Sequence, residues 1–115
     1  MKNLLLILLC VPLIGFSQTA EGYFEKANNW YDEEEYQLAI DNYTKAIRIN
    51  PDYSIAYEFR ADTYIELGNY DEAISDYTRS IRISQNKSYA YVGRGTAYYY
   101  LENYEDAIAD YTRSI

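Results

Sequence analysis

Carboxylates are the residues of this chain best placed to do chemistry. Four acids run from Asp32 to Glu35, and the pairs Asp71-Glu72 and Glu105-Asp106 follow further along. Paired carboxylates can hold a hard metal ion or divide the roles of general acid and general base between them. The two pairs, however, stand 34 residues apart inside near-identical segments, GNYDEAISDYTRSI at 68–81 and ENYEDAIADYTRSI at 102–115. A catalytic or metal site converges on one place, so recurrence at equivalent places points to a local structural role. Acids in the first turn of a helix interact favourably with its dipole, and that is the reading adopted here. Histidine is absent and Cys10 is the single cysteine, which excludes a His/Cys zinc site and a disulfide framework. There is no phosphate-binding glycine loop and no nucleophile with a base partner. The chain therefore does not read as an enzyme, and it calls for no cofactor and no metal. Asn42-Tyr43-Thr44 and Asn86-Lys87-Ser88 match the glycosylation sequon. The first lies in a packed helix, where Asp76 and Asp110 stand in the other copies, and the second lies in a loop.

The bulk properties narrow the classes further. With 115 residues, 49% of them hydrophobic, there is room for one folded domain. A formal charge of −8 argues against nucleic acid or an anionic membrane surface as partner, since both require clustered Lys and Arg. The first 17 residues are set apart from the rest. Lys2 is followed by an uncharged apolar run at 4–16, and Gly15 and Ser17 supply small residues at −3 and −1 of a cut before Gln18. This is the layout of a secretory signal peptide, so the protein is expected to be exported, periplasmic or secreted. The run is shorter than the roughly 20 residues that span a bilayer, which leaves an uncleaved membrane anchor as the alternative. Cys10 follows Ile7-Leu8-Leu9, which offers no small residue for a lipoprotein cut.

Beyond about Ala20 the chain repeats without insertions. Residues 34–47 (EEYQLAIDNYTKAI) form a looser third copy of the segments at 68–81 and 102–115. Within the middle copy, Tyr57, Ala61, Tyr64 and Leu67 share one helix face, and Tyr70, Ala73, Ile74, Tyr77 and Ile81 share the next. Gly68 between them suits the left-handed residue that ends a helix, and Asn69 suits the cap that begins another. Pro51 separates the first unit from the second, whereas Ser84, Asn86 and Ser88 mark the next break.

These residues resemble the tetratricopeptide repeat family, whose 34-residue helix-turn-helix unit places small and aromatic residues at fixed slots. The small slots of the first helix hold Ala27, Ala61 and Gly95, followed by Trp30, Tyr64 and Tyr98 at the aromatic slot. In the second helix Ala39, Ala73 and Ala107, then Ala46, Ser80 and Ser114, flank Tyr43, Tyr77 and Tyr111, and Pro51 fills the terminal proline slot. Two departures stand out: Lys26, Arg60 and Arg94 occupy a slot often filled by Leu, and Glu34-Glu35 replaces the glycine turn in the first unit. The resemblance implies an all-α, right-handed α-solenoid over residues 18–115, with units at about 20–53, 54–87 and 88–115. The third unit stops before its second helix is complete, so the chain is expected to be the front of a longer protein or a fragment.

The resemblance also implies a function. In this family the first helices line a concave groove that takes up peptides or partner helices. By register, the groove candidates here are Phe24, Asn28, Tyr31, Ile55, Glu58, Phe59, Asp62, Ile65, Tyr89, Val92, Thr96 and Tyr99. Four columns, starting at Tyr23, Trp30, Tyr36 and Tyr43, take up eleven of the sixteen tyrosines as packing residues. That leaves Tyr31, Tyr53, Tyr89, Tyr99 and Tyr100 available for recognition. The expected partner is a protein or peptide with apolar anchors and basic residues, and no small-molecule substrate is evident. A clamp for a terminal carboxylate needs Lys, Arg and Asn, and of the matching positions (Phe24, Asn28, Phe59, Tyr89, Gly93) only Asn28 fits. The alternative is a targeting or regulatory front of a longer exported enzyme or sensor cut at Ile115. Self-association through the uncapped C-terminal face is the third possibility.

Overall fold

The computed structural model describes residues 18–115, so the expected leader at 1–17, with Cys10, lies outside the described residues. Six helices follow one another: α1 (Ala20–Asp32), α2 (Tyr36–Ile49), α3 (Ser54–Glu66), α4 (Tyr70–Ile83), α5 (Ser88–Tyr100) and α6 (Tyr104–Arg113). They pack as three hairpins, α1 on α2, α3 on α4 and α5 on α6. Successive hairpins join through α2 against α3 and α4 against α5, and α3 also touches α5. The result is an all-α repeat solenoid with no strand among the described residues. No described helix is long and apolar enough to cross a membrane.

The turns inside the hairpins show how strictly the period is kept. Glu34, Gly68 and Glu102 all have positive φ, at 60°, 76° and 62°. In each turn the left-handed residue donates its amide to the carbonyl three residues back, and the following amide reaches five back: Gly68 to Ile65 and Asn69 to Tyr64, with the same pattern after Tyr31 and after Tyr99. This is a Schellman ending, which satisfies carbonyls that a helix end leaves free. Gly68 fits as expected, whereas Glu34 and Glu102 take the same conformation despite having a Cβ, at a steric cost. Asn69 does not cap α4 as its sequence position suggested. The tight turn holds its ψ at 71°, far from the 160° at Thr19, whose side chain does accept the Gly22 amide at 2.9 Å.

The small slots are the points of closest helix approach. Ala27, Ala39, Ala46, Ala61 and Ala73 are fully buried, and the Tyr43 and Tyr77 rings beside them are 1% exposed. A Cβ added to Gly95 would meet the Tyr111 ring at 2.9 Å, and one added to Gly93 would run into the Tyr77 ring. Helix pairing through small residues with aromatic rings filling the flanks explains why these types recur.

The charged residues at the leucine slot have a defined structural task. Arg60 donates to both carboxylate oxygens of Asp76, each at 2.7 Å, and also to Thr44 of the preceding unit at 3.0 Å. Arg94 repeats the arrangement with Asp110 and Thr78. Each guanidinium thus ties the two helices of its own unit together and staples that unit to the one before. In the first unit the matching residues are Lys26 and Asn42. Asn42 is buried, its amide donates to the Leu38 carbonyl, and its side-chain oxygen has no hydrogen-bond partner among the described residues. Burial of this side chain also agrees with reading its sequon as accidental.

Candidate functional site

The groove is built by the first helices, and its chemistry starts from a recurring hydrogen bond. Asn28, Asp62 and Thr96 stand at the same slot of α1, α3 and α5. Each receives the phenol of the tyrosine 15 residues later: Tyr43 donates to Asn28, Tyr77 donates to Asp62, and Tyr111 lies 3.0 Å from Thr96. Thr96 spends its own hydroxyl proton on the Val92 carbonyl, so Tyr111 is the donor there. The second-helix tyrosines therefore have two roles. Their rings fill the hairpin, and their hydroxyls reach through to order the polar residues of the groove.

Asp62 is the centre of this arrangement. Its second oxygen accepts the Tyr89 phenol at 2.6 Å, which links α5 to α3 across the groove. Burial pushes the Asp62 carboxyl above its ordinary range, and the two phenolic donors offset part of that. Neighbouring tyrosines register the same negative environment. Tyr31 is pushed up to about 12 by burial and by Glu66, whose carboxylate its phenol faces at 3.4 Å. Burial and Asp62 likewise raise Tyr43, Tyr77 and Tyr89.

Two clefts open on this surface. The first, of 380 Å³, is lined by Asn28, Tyr31, Asp32, Tyr43, Phe59, Asp62 and Tyr89. The second, of 300 Å³, shares Tyr31, Asp62 and Tyr89 with it and adds Ile65, Glu66, Tyr77, Val92, Gly93 and Thr96. Neither has a lysine or arginine in its lining.

Of the twelve residues the register singled out, eight line these clefts: Asn28, Tyr31, Phe59, Asp62, Ile65, Tyr89, Val92 and Thr96. Phe24 instead packs inward, with its ring 5.2 Å from Phe59 and 5.3 Å from Tyr53. Glu58 is turned toward α4 and accepts the Ser80 hydroxyl at 2.8 Å. Ile55 and Tyr99 are exposed and line neither cleft. The five tyrosines left for recognition are also engaged. Tyr53 belongs to the Phe24 cluster, and Tyr100 stacks on Tyr70 at 5.1 Å, with Tyr99 at its edge. Sequence reasoning missed Asp32, Tyr43, Glu66, Tyr77 and Gly93 as cleft residues. For Tyr43 and Tyr77 the constant 15-residue offset from the groove slot, repeated in each unit, was the available signal.

Comparison with known proteins gives this geometry its lineage. Tetratricopeptide-repeat profiles match residues 20–53 and 52–115. The chain belongs to the tetratricopeptide repeat family. Hsp70-Hsp90 organizing protein 1 of Arabidopsis thaliana is 46% identical over 44 residues, which is 38% of this chain and 8% of that protein. The match thus spans less than a tenth of the relative's length. Among solved structures, MamA superposes with a TM-score of 0.82 at 28% identity, covering 85% of this chain and 57% of MamA. The first tetratricopeptide domain of Spaghetti (RPAP3), bound to the HSP90 peptide SRMEEVD, superposes with a TM-score of 0.81 at 33% identity, covering 85% and 78%.

Proposed function

We propose that this tetratricopeptide scaffold is exported and holds a peptide or protein segment in the groove of α1, α3 and α5. The observation that carries the reading is the division of labour between its helices. The second helices are near copies that pack, while the first helices present Tyr31, Phe59, Asp62 and Tyr89, at slots that are not the same in all three units, around two adjoining clefts. Peptide binding by the related RPAP3 domain supports the same use of the fold. The ligand chemistry differs, however. SRMEEVD is acidic, whereas these clefts carry Asp32, Asp62 and Glu66 and no cation. A partner with apolar anchors and basic residues complements them.

Panning a displayed random-peptide library against the full chain supplies ligands, and the Asp32→Lys/Glu66→Lys double variant, which reverses one exposed carboxylate in each cleft, then tests the site. Binding is expected to be lost; selected peptides that bind both forms equally would place the contact elsewhere. Export rests on the Lys2, apolar-run and Ser17 layout of the leader. N-terminal sequencing of the protein recovered from outside the cytoplasm is expected to start near Gln18, and recovery only from the cytoplasm contradicts it.

A further inference from the structure

The larger cleft is suited to a narrower chemistry than the groove as a whole. We propose that it accepts the guanidinium of an arginine side chain in the bound peptide, next to an aliphatic residue seated in the smaller cleft. This rests on the groove reading above and goes beyond it by naming the side chain and the place.

The first reason is the direction of the hydrogen bonds. Tyr43 donates to Asn28, and Tyr77 and Tyr89 donate to Asp62, so these phenolic protons are already committed. Apart from the Asn28 amide, whose N–H groups remain donors, what the cleft has left is acceptor capacity: phenolic lone pairs and the carboxylates of Asp32 and Asp62. A ligand group rich in donors satisfies it, while an acceptor-rich group such as a carboxylate meets repulsion.

Charge gives the second reason. Two carboxylates line the cleft and no lysine or arginine does. Arg60, on the same helix as Asp62, is occupied by Asp76 and Thr44. Among the described residues no group of three His, Cys, Asp or Glu side chains is placed to hold a metal ion.

Shape decides between the two basic side chains. Tyr31, Phe59 and Tyr89 make three of the lining side chains aromatic, which suits a methylene stem and a planar ion. A guanidinium has five donors in a rigid fork and stacks on aromatic rings, so it can serve separated acceptors at once. An ammonium is compact and strongly hydrated, and it loses more on entering such a site. A volume of 380 Å³ leaves room for the stem and the head group together. The adjoining cleft, with Ile65, Val92 and the bare backbone of Gly93, then takes an aliphatic side chain a few residues away along the peptide.

The same library selection tests the assignment. Peptides recovered on the full chain are expected to share one arginine at fixed spacing from a Leu, Ile or Val. Changing that arginine to lysine, or the protein to Asp32→Asn or Asp62→Asn, should weaken binding about tenfold, as expected for losing a charge-assisted contact. Asp62 also orders Tyr77 and Tyr89, so its variant is read beside a thermal melt. Asp32 lies exposed at the end of α1, and its variant carries the test if Asp62→Asn folds poorly. Groove-bound peptides without arginine enrichment, or with affinity unchanged by Arg→Lys and by both asparagine variants, overturn the arginine assignment and leave the groove intact. Recovery of no binding peptide overturns the groove reading, and this inference falls with it.

Discussion

Asp62 combines roles that pull in different directions: it accepts two phenols, faces both clefts and is partly buried. Burial raises its folded-state value above the unfolded one, so the native protein holds the proton more tightly than the unfolded chain does. Its contribution to stability is then greatest below the ordinary carboxylate value and falls as pH rises through the raised one. Glu58 follows the same sign, again through burial. Ionising Asp62 therefore works against folding, and Asp62→Asn, which cannot ionise, is expected to melt at a higher temperature than the native chain at pH 7. The gap should close below about pH 4, where the native carboxyl is neutral as well. Thermal melts across that range check this, and a variant less stable at pH 7 would show that the phenol contacts outweigh the burial. The place of Asp62 on the groove face was legible from register. Its phenolic partners could not be read from its own helix, because Tyr77 and Tyr89 lie 15 and 27 residues further on, in other helices.

The helices are held in register by the Arg60–Asp76–Thr44 and Arg94–Asp110–Thr78 clamps as well as by small-residue packing. In the sequence, arginine at a slot where Leu is common looked like a departure from the family pattern. The structure shows it to be paired with Asp76 or Asp110 on the opposite helix of its own hairpin. The clue was present in the repeats themselves: arginine occurs with aspartate in the second and third units, and Lys26 occurs with Asn42 in the first. Arg60 and Asp76 are both mostly buried, at 17% and 7% side-chain exposure. Removing one partner of a buried pair leaves an uncompensated charge, so Arg60→Ala is expected to cost about 3 kcal/mol. Replacing both, as Arg60→Leu with Asp76→Ala, should recover most of that loss, since apolar replacement of a buried pair is often close to neutral. Urea unfolding of the two variants checks this; equal losses in both would mean that the unpaired Asp76 charge is not what the single variant costs.

Taken whole, the molecule separates what repeats from what does not. The 34-residue period, the alanine slots and the hairpin turns were legible because each is a local size or backbone constraint that has to recur for the units to stack. Groove chemistry was only partly legible. Eight of twelve residues line the clefts, whereas Phe24 turned inward into an aromatic cluster with Tyr53 and Phe59 that no single helix pattern encodes. On α6 the pattern also parts from its copies. Ile108 is 66% exposed where Ile40 is 5%, and Tyr111 is 37% exposed where Tyr43 and Tyr77 are 1%, because in the earlier units the next hairpin covers that face. The central claim is that recognition belongs to the first helices, and amide hydrogen exchange with and without a library-selected peptide tests it most directly. Slowed exchange is expected along α1, α3 and α5, centred on Tyr31, Asp62 and Tyr89, with α2 and α4 unchanged. Protection confined to α2, α4 or α6 would contradict it.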